Sequence, residues 1–220
     1  YKLRVYLKNK MKLNKKLQIK VSPGLTPYDE ALTYMKNHVN HIKIENGEEL
    51  IWFLEHEDVY TAGTSAKHED QKIKNKNLIR YTGRGGQWTW HGQGQRVIYI
   101  MLDLKQREKD IKKYIKSLEN WIIESLRNFS IYGLTLDKHP GVWIEKENGF
   151  HKIASIGVRI SNWITWHGIS INVHPDLSNF EKIIPCGIKE SFVTSIKNEG
   201  VEINLNNLDK SLIKNLKNYF

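Results

Sequence analysis

One cysteine and three segments rich in glycine, histidine or lysine hold the side chains of this 220-residue chain that could do chemistry. Cys186 is the single cysteine. Pro185 restricts the backbone before its thiol, and Gly187 after it leaves room for an approaching ligand. A lone cysteine is either an inert core residue or a nucleophile that forms a covalent intermediate. The Pro-Cys-Gly setting favours the nucleophile, although by itself it leaves the core alternative open.

The second feature is a glycine-rich segment from Gly83 to Gln95, directly before an apolar stretch. Its glycines allow the backbone to approach a ligand closely and to turn N–H groups toward it. The spacing matches neither the GxxxxGK[ST] phosphate loop nor the GxGxxG dinucleotide motif. A plain glycine-rich hairpin is the alternative. One arginine, two tryptophans and a histidine in the same segment favour a binding loop.

The third feature is the segment of residues 151–159, which has the pattern of a strand that begins near a lysine. Strand alternation predicts Lys152 and Ala154 on one face, with Ile153 and Ser155 on the other. A lysine at the start of a strand is most often a solvated edge charge, so this position alone does not indicate a site.

The fourth feature is the segment of residues 166–174. It contains His167, for which a satisfied core histidine is the simplest interpretation. A metal site is not expected, because His91, His167, His174 and Cys186 lack the close paired spacing of zinc ligands.

The composition indicates a globular chain with a strong basic excess. The net charge is +10, which fits solvated lysines, a docking face for an acidic protein, or nucleic-acid binding. No nucleic-acid-binding motif is present, so we expect no nucleic-acid partner. A single cysteine excludes an internal disulfide, and no apolar run has the length of a membrane span or a signal peptide. We therefore expect a cytoplasmic protein that does not bind membranes.

The elements that position these residues follow from apolar periodicity and turn signals. We predict one domain over residues 1–220, monomeric, with residues 1–23 as a basic N-terminal extension or edge strands. The Asn148-Gly149 pair predicts a hairpin. One predicted helix begins at Thr26-Pro27. A second covers residues 111–129, with a stop at Gly133, and a third covers residues 207–216. The predicted strands cover residues 51–54, 78–81, 97–102, 142–145, 153–158 and 164–173. Their mixed order predicts an α/β or α+β domain with a mixed sheet.

Taken in order, these segments resemble a known family. The resemblance is carried by RGGQWTWHGQGQ from Arg84, HPGVWI from His139, KIASIGVRI from Lys152, WHGISINVHPDL from Trp166 and PCGI from Pro185. They are similar to the lipoyl(octanoyl) transferases of lipoate biosynthesis over about residues 24–190. The resemblance implies the biotin/lipoate-protein-ligase-like fold, with a mixed β-sheet flanked by helices.

The resemblance also implies roles for individual residues. Cys186 matches the family's acyl-thioester nucleophile, and Lys152 matches the lysine that lowers the pKa of that thiol. His167 is a possible auxiliary residue. The residues that match the substrate-binding segments are Arg84, Gly85, Gly86, Gln87, Trp88, Thr89, Trp90, His91, Ser155, Ile156, Gly157, Gly168, Ile169 and Ser170.

The implied activity moves an octanoyl group from acyl carrier protein to a lysine of lipoyl domains, without a cofactor. The implied acceptors are the lipoyl domains of 2-oxoacid dehydrogenases and the glycine cleavage H protein. Two alternatives stay open: an ATP-dependent lipoate or biotin ligase of the same superfamily, and a non-enzymatic acyl- or nucleic-acid-binding module.

Overall fold

A computed structural model describes residues 2–3, 16–45, 47–184 and 192–220 of the chain. Within these residues the α-helices are α1 (Tyr28–Glu45), α2 (Ile111–Arg127) and α3 (Leu205–Asn215). The strands are β1 (Lys2–Leu3), β2 (Leu17–Thr26), β3 (Glu49–His56), β4 (Val59–Ala62), β5 (Ile79–Tyr81), β6 (Trp88–His91), β7 (Gln95–Met101), β8 (Leu134–Leu136), β9 (His139–Lys146), β10 (Gly149–Ser161), β11 (Ile164–Asn172) and β12 (Phe192–Val193). Short 3₁₀ turns lie at His68–Asp70, Lys76–Leu78, Leu104–Gln106, Leu177–Lys182, Lys197–Glu199 and Leu216–Asn218.

The strands of the described chain form a large mixed sheet and a small one. The large sheet has the order β1-β2-β3-β7-β11-β10-β9-β8, with β12 added on β10. Two pairs in it, β2 with β3 and β10 with β12, are parallel, and the other neighbours are antiparallel. The small sheet has the order β5-β4-β6. The prediction of a mixed sheet is confirmed.

Helices cover both faces of the large sheet. On one face, α1 buries Ala31, Met35, Val39 and Ile42, which recur at helical spacing and pack on β3, β7 and β11. Acidic residues in the first turn of α1 and a lysine in its last turn favour the helix dipole. On the other face, α2 and α3 pack together over the largest apolar cluster.

Helix α2 ends six residues before the predicted stop. Asp110 caps its N-terminus by accepting a hydrogen bond from the Lys113 backbone. At the other end, Ser130 adopts a left-handed φ of 60°, and the Ile131 N–H reaches back to the Leu126 carbonyl at 3.3 Å. This arrangement closes the helix without a glycine, so Gly133 is not the stop.

The predicted hairpin joins β9 and β10, with Lys146 paired to Gly149. A β-bulge between Lys152 and Ala154 then interrupts the pairing. Because of this bulge, Ile153 and Ala154 both pack into the same core cluster, and the predicted strict alternation across residues 152–155 is wrong.

The basic N-terminal segment is described only in part. Lys2–Leu3 pairs antiparallel with β2, and residues 4–15 lie outside the described residues. Residues 17–23 belong to β2, which is paired on both sides in the large sheet, so this part of the predicted extension is a structural strand.

Candidate active site

The first part of the glycine-rich segment, residues 83–87, forms a tight loop between β5 and β6 that docks on the large sheet. The Gly85 N–H donates to the Val158 carbonyl of β10 at 2.9 Å. On the other side, residues 63–65 donate backbone hydrogen bonds to the loop carbonyls. A Cβ at Gly63 would lie 2.2 Å from the Gly86 carbonyl oxygen, and one at Gly157 would lie 3.1 Å from Cδ of Arg84. This close contact explains why small residues are needed on both sides.

Arg84 braces the loop from within. Its guanidinium is buried and donates to the Thr61 carbonyl at 2.7 Å, the Gln87 carbonyl at 2.9 Å and the Gly85 carbonyl at 3.0 Å. It also donates to the Thr61 hydroxyl. The planar fork of arginine can reach several acceptors in fixed directions at once, so these contacts set the shape of the loop.

We expect Arg84→Lys to lower the free energy of unfolding by about 2–3 kcal/mol, because a lysine leaves some of these buried carbonyls without donors. Urea denaturation measures this change. Arg80→Lys is the matched control. Arg80 forms a half-exposed ion pair with Asp29, and weakening this pair should lower the free energy of unfolding by less than about 1 kcal/mol. Equal losses in the two variants would contradict the bracing role.

Strands β10 and β11 form the wall beside the loop. Their pairing sets Ser155 opposite Ser170 and Gly157 opposite Gly168. A Cβ at Gly168 would lie 2.1 Å from the Ile98 carbonyl oxygen of β7. Any side chain at position 168 would therefore push two central strands apart.

A narrow cavity of about 60 Å³ lies between the loop and this wall. Every substrate-binding residue predicted from the sequence lines it except Gly85 and Trp90, and His167 lines it as well. Tyr28, Val97 and Tyr99 complete the lining. The sequence segments from three separate parts of the chain thus meet around one space.

A larger cavity of about 570 Å³ adjoins the narrow one. Ile111 and Ile115 of α2 and Val158 and Ile160 of β10 give it apolar walls, and Lys152 also lines it. Four residues line both cavities: Gly86, Gln87, Ile156 and Gly157.

Lys152 is buried rather than solvated at a sheet edge; 4 % of its surface is exposed. Its cross-strand neighbour is Trp143, whose ring centroid lies 4.4 Å from Lys152 Nζ. The same Nζ donates to the Pro140 carbonyl at 3.2 Å. The Trp143 indole N–H donates to the His139 carbonyl, which fixes the ring. The Lys152 amine therefore lies between an aromatic face and a carbonyl oxygen.

Cys186 lies outside the described residues, as do residues 185 and 187–191. The described chain on either side of this segment is well anchored. Ile184 N–H donates to the Asp70 carbonyl at 2.7 Å. On the far side, Val193 of β12 pairs with Lys152, and the Thr194 N–H donates to the Lys152 carbonyl at 3.0 Å. The chain that follows the cysteine segment therefore meets Lys152 directly.

Sequence comparison decides the family. Residues 27–217 match the family model of the lipoyl protein ligase A/B catalytic domain. An octanoyltransferase of Bartonella quintana is 44% identical over 208 residues, which cover 90% of this chain and 85% of the relative. One of Cereibacter sphaeroides is 42% identical, covering 91% of this chain and 96% of the relative. This chain belongs to the octanoyltransferase family.

Solved structures agree with this family's fold. A bipartite lipoate protein ligase of Thermoplasma acidophilum has a TM-score of 0.70 at 14% identity, covering 91% of this chain and 82% of that one. A lipoate-bound P. falciparum protein has a TM-score of 0.68 at 15% identity, covering 92% of this chain and 62% of that one. The predicted lipoate-ligase-like fold is confirmed.

Two of the predicted substrate-binding residues do not line the narrow cavity. Gly85 lines the larger cavity instead. Trp90 is buried against Phe180, with ring centroids 5.6 Å apart, in the apolar cluster beneath the small sheet. At this position Trp90 can support the glycine loop through the core beneath the small sheet.

Sequence reasoning missed several residues of the candidate site. Trp143 and Pro140 contact Lys152, and Tyr99 and His56 lie beside the predicted histidines. The hairpin register held a usable signal for Trp143, because pairing Lys146 with Gly149 sets Trp143 opposite Lys152.

Three buried histidines lie in or next to the narrow cavity, and burial lowers the pKa of each. The pKa of His56 falls to about 4, and the pKa values of His91 and His167 fall to about 3. Desolvation is the main cause in all three; nearby Arg84 adds to the shifts of His91 and His167. These imidazoles are therefore neutral at physiological pH.

Within the described part of the chain, no group of three or more metal-ligating side chains is assembled. In the same residues, no helix combines the length and the apolar character needed to cross a bilayer.

Proposed function

We propose that this octanoyltransferase moves an octanoyl group from acyl carrier protein to a lysine of lipoyl domains, through a thioester on Cys186 assisted by Lys152. The identity to curated octanoyltransferases across most of the chain carries the proposal of octanoyl transfer. The buried position of Lys152, next to the returning chain at Thr194, supports its role beside the cysteine.

The first half-reaction exchanges one thioester for another. The Cys186 thiolate attacks the thioester carbon of the donor, a new C–S bond forms, and the bond to the carrier's sulfur breaks. The departing thiolate takes a proton from the Lys152 ammonium. A cationic amine beside the cysteine favours the thiolate, which is the nucleophilic form.

The second half-reaction forms an amide. The neutral amine of the acceptor lysine attacks the acyl carbon and the C–S bond to Cys186 breaks. The surplus proton of the amine passes to Lys152, so the cycle ends with the thiolate and the Lys152 ammonium restored. Thioester exchange is nearly balanced in free energy and aminolysis is favourable, so the sequence of steps needs no ATP.

The larger cavity supports binding of the acyl chain. Its walls of isoleucine and valine side chains and its volume of about 570 Å³ suit a flexible aliphatic chain. It also borders Lys152, which supports placing the reactive end of the acyl group near this lysine.

The charge supports acidic protein partners. The chain carries 34 Lys and Arg against 24 Asp and Glu. A basic surface accelerates encounter with acidic proteins, and acyl carrier proteins and lipoyl domains are our proposed partners. Reaction with these proteins suits a cytoplasmic enzyme.

Intact mass spectrometry after mixing with octanoyl-carrier protein tests the proposal. We expect a hydroxylamine-sensitive octanoyl adduct on the wild-type protein, without ATP, and none on Cys186→Ala. Lys43→Ala, a change at an exposed residue in the last turn of α1, should form the adduct as wild type does. An octanoyl or lipoyl adenylate formed only with ATP, with Cys186→Ala fully active, would instead establish the ligase alternative. Binding without turnover or adduct would establish a non-enzymatic acyl carrier.

A further inference from the structure

Helix α2 carries a carboxylate on its buried side. Glu119 follows Ile111 and Ile115 at intervals of four residues, so the three side chains lie along one stripe of the helix. The two isoleucines line the larger cavity, whereas Glu119 faces β9 with 6 % of its surface exposed. A buried carboxylate is unfavourable unless it is hydrogen-bonded or paired, so the partners of Glu119 matter.

The partners of Glu119 are one main-chain N–H and one lysine. Its Oε1 accepts a hydrogen bond from the Gly141 N–H at 3.3 Å, and its Oε2 lies 3.7 Å from Nζ of Lys116. The side chain of Lys116 is 54 % exposed, so water and salt weaken this ion pair. The hydrogen bond to Gly141 is therefore the buried contact of the carboxylate.

A single peptide group connects Glu119 to Lys152. The N–H that reaches Glu119 belongs to the peptide between Pro140 and Gly141, and the C=O of the same peptide accepts from Lys152 Nζ at 3.2 Å. A trans peptide is planar, with its N–H and C=O directed oppositely, so the partner on one side sets the orientation offered to the other. Successive hydrogen bonds also polarise one another, which strengthens the carbonyl as an acceptor.

Gly141 allows this peptide to lie directly against the lysine. Its φ is 133°, a conformation that favours glycine. A Cβ at this position would lie 2.6 Å from the Ala154 carbonyl oxygen and 3.4 Å from Lys152 Nζ. The amine therefore lies in a slot between the Trp143 ring, whose centroid is 4.4 Å from Nζ, and the peptide that Glu119 holds.

We propose that Glu119 is a positioning residue for octanoyl transfer. Its carboxylate holds the Pro140–Gly141 peptide with the carbonyl oxygen toward Lys152, and this keeps the amine at the wall of the larger cavity. The inference rests on the proposed role of Lys152 in acyl transfer. Glu119 lines neither the narrow nor the larger cavity, so its effect on the reaction passes through Lys152.

The position of the lysine is measurable without the reaction. In the wild-type protein, the ring current of Trp143 should move the Lys152 Hε proton resonances to high field, because protons above a ring face are shielded. Glu119→Leu removes the acceptor of the Gly141 N–H. We expect the Lys152 Hε resonances of this variant to move toward the values of exposed lysines in proton NMR spectra.

Single-turnover acylation with octanoyl-carrier protein measures the effect on the reaction. We expect Glu119→Leu to lower the maximal rate of octanoyl-enzyme formation about tenfold, because a displaced amine assists the reaction poorly. The half-saturating donor concentration should stay within about twofold of wild type, since Glu119 makes no contact with the donor. Glu119→Gln keeps a side-chain oxygen for the Gly141 N–H and should recover most of the rate.

Glu124→Leu is the matched control for both measurements. Glu124 lies on the same helix and also accepts a hydrogen bond, from the Tyr219 hydroxyl at 2.6 Å. Like Glu119, it lines neither cavity. The Lys152 resonances and the acylation rate of this variant should match those of the wild-type protein.

Two results would overturn the inference. One is a set of Lys152 resonances that Glu119→Leu leaves unchanged. The other is a raised half-saturating donor concentration at the wild-type maximal rate, which would show that Glu119 only shapes the cavity. If Lys152→Met acylates as fast as wild type, or if the wild-type protein forms no adduct, the proposed function fails instead. The NMR comparison then still decides whether Glu119 positions the lysine.

Discussion

Replacing Lys152 with methionine is expected to slow formation of the octanoyl-enzyme by a factor of about 10² to 10³. Methionine keeps the unbranched shape of the side chain in its buried setting but removes the charge that favours the cysteine thiolate. It also removes the proton donor for the departing thiol. Rapid-quench mass spectrometry with octanoyl-carrier protein gives the rate of the first half-reaction.

The pH dependence of thiol alkylation distinguishes this electrostatic effect from misfolding. We expect the alkylation midpoint of Cys186 to rise by one pH unit or more in Lys152→Met. Trp143→Leu, which removes the ring face below Lys152 Nζ, should move the midpoint in the same direction by less. Lys146→Met is the matched control, because Lys146 lies on the same hairpin in a partly exposed ion pair with Glu199. If Lys152→Met forms the octanoyl-enzyme as fast as Lys146→Met does, the proposed dyad of Cys186 and Lys152 is wrong.

Acid is expected to unfold the protein at a pH of about 4.5, because three buried histidines resist protonation. The pKa of His56 is about 4, and those of His91 and His167 are about 3, whereas in the unfolded chain each lies near the ordinary value of 6.5. As the pH falls below 6.5, the unfolded state gains protons that the folded state does not. The stability is thus lost progressively toward the folded pKa values.

Asp209 has the opposite effect on how the free energy of unfolding depends on pH. Burial raises the pKa of its carboxyl to about 6, although Arg96 beside it lowers the value. Near pH 5 the folded state therefore holds one proton on Asp209 that the unfolded state lacks. Unfolding takes up about three protons on the histidines and releases one from Asp209, so the net uptake is about two protons. This uptake corresponds to a loss of about 2.7 kcal/mol per pH unit, which over two pH units is comparable with the total stability of many domains.

Urea titrations at pH 7, 6, 5 and 4.5 measure this slope. His167→Asn should reduce it by about one proton, whereas the surface change His41→Gln should leave it unchanged. A free energy of unfolding that is flat between pH 6.5 and 4.5 would show that the three histidines titrate normally in the folded protein.

Local sequence signals predicted the elements better than the contacts between them. The Asn-Gly hairpin and the strands of residues 97–102 and 164–173 were predictable, because turn chemistry and continuous apolar runs are local properties. The bulge at Lys152 was not, since it depends on how two strands pair. The end of α2 at Arg127 depends on Ser130 adopting a left-handed conformation that residue type alone does not indicate.

The candidate site shows the same contrast between local sequence signals and long-range contacts. Motif similarity predicted the residues that line the narrow cavity, because their types and order are visible in the sequence. The partners of these residues come from elsewhere in the chain. Gln95 and Asn172 are 77 positions apart and meet only through the pairing of β7 with β11. No pattern within either segment predicts this contact, which lies next to His91.

The edge of β10 has a consequence for how such enzymes diversify. Strand β9 occupies this edge as far as Ser155, and the glycine loop takes it over at Val158. The opening at Ile156 and Gly157 is therefore framed largely by main chain, with the loop on one side held in place by Arg84. Mutations at Ile111, Ile115 or Ile160 can remodel the space beyond the opening without altering the frame. We expect preference for acyl length to drift readily in descendants of this protein, while the geometry of the gateway itself persists.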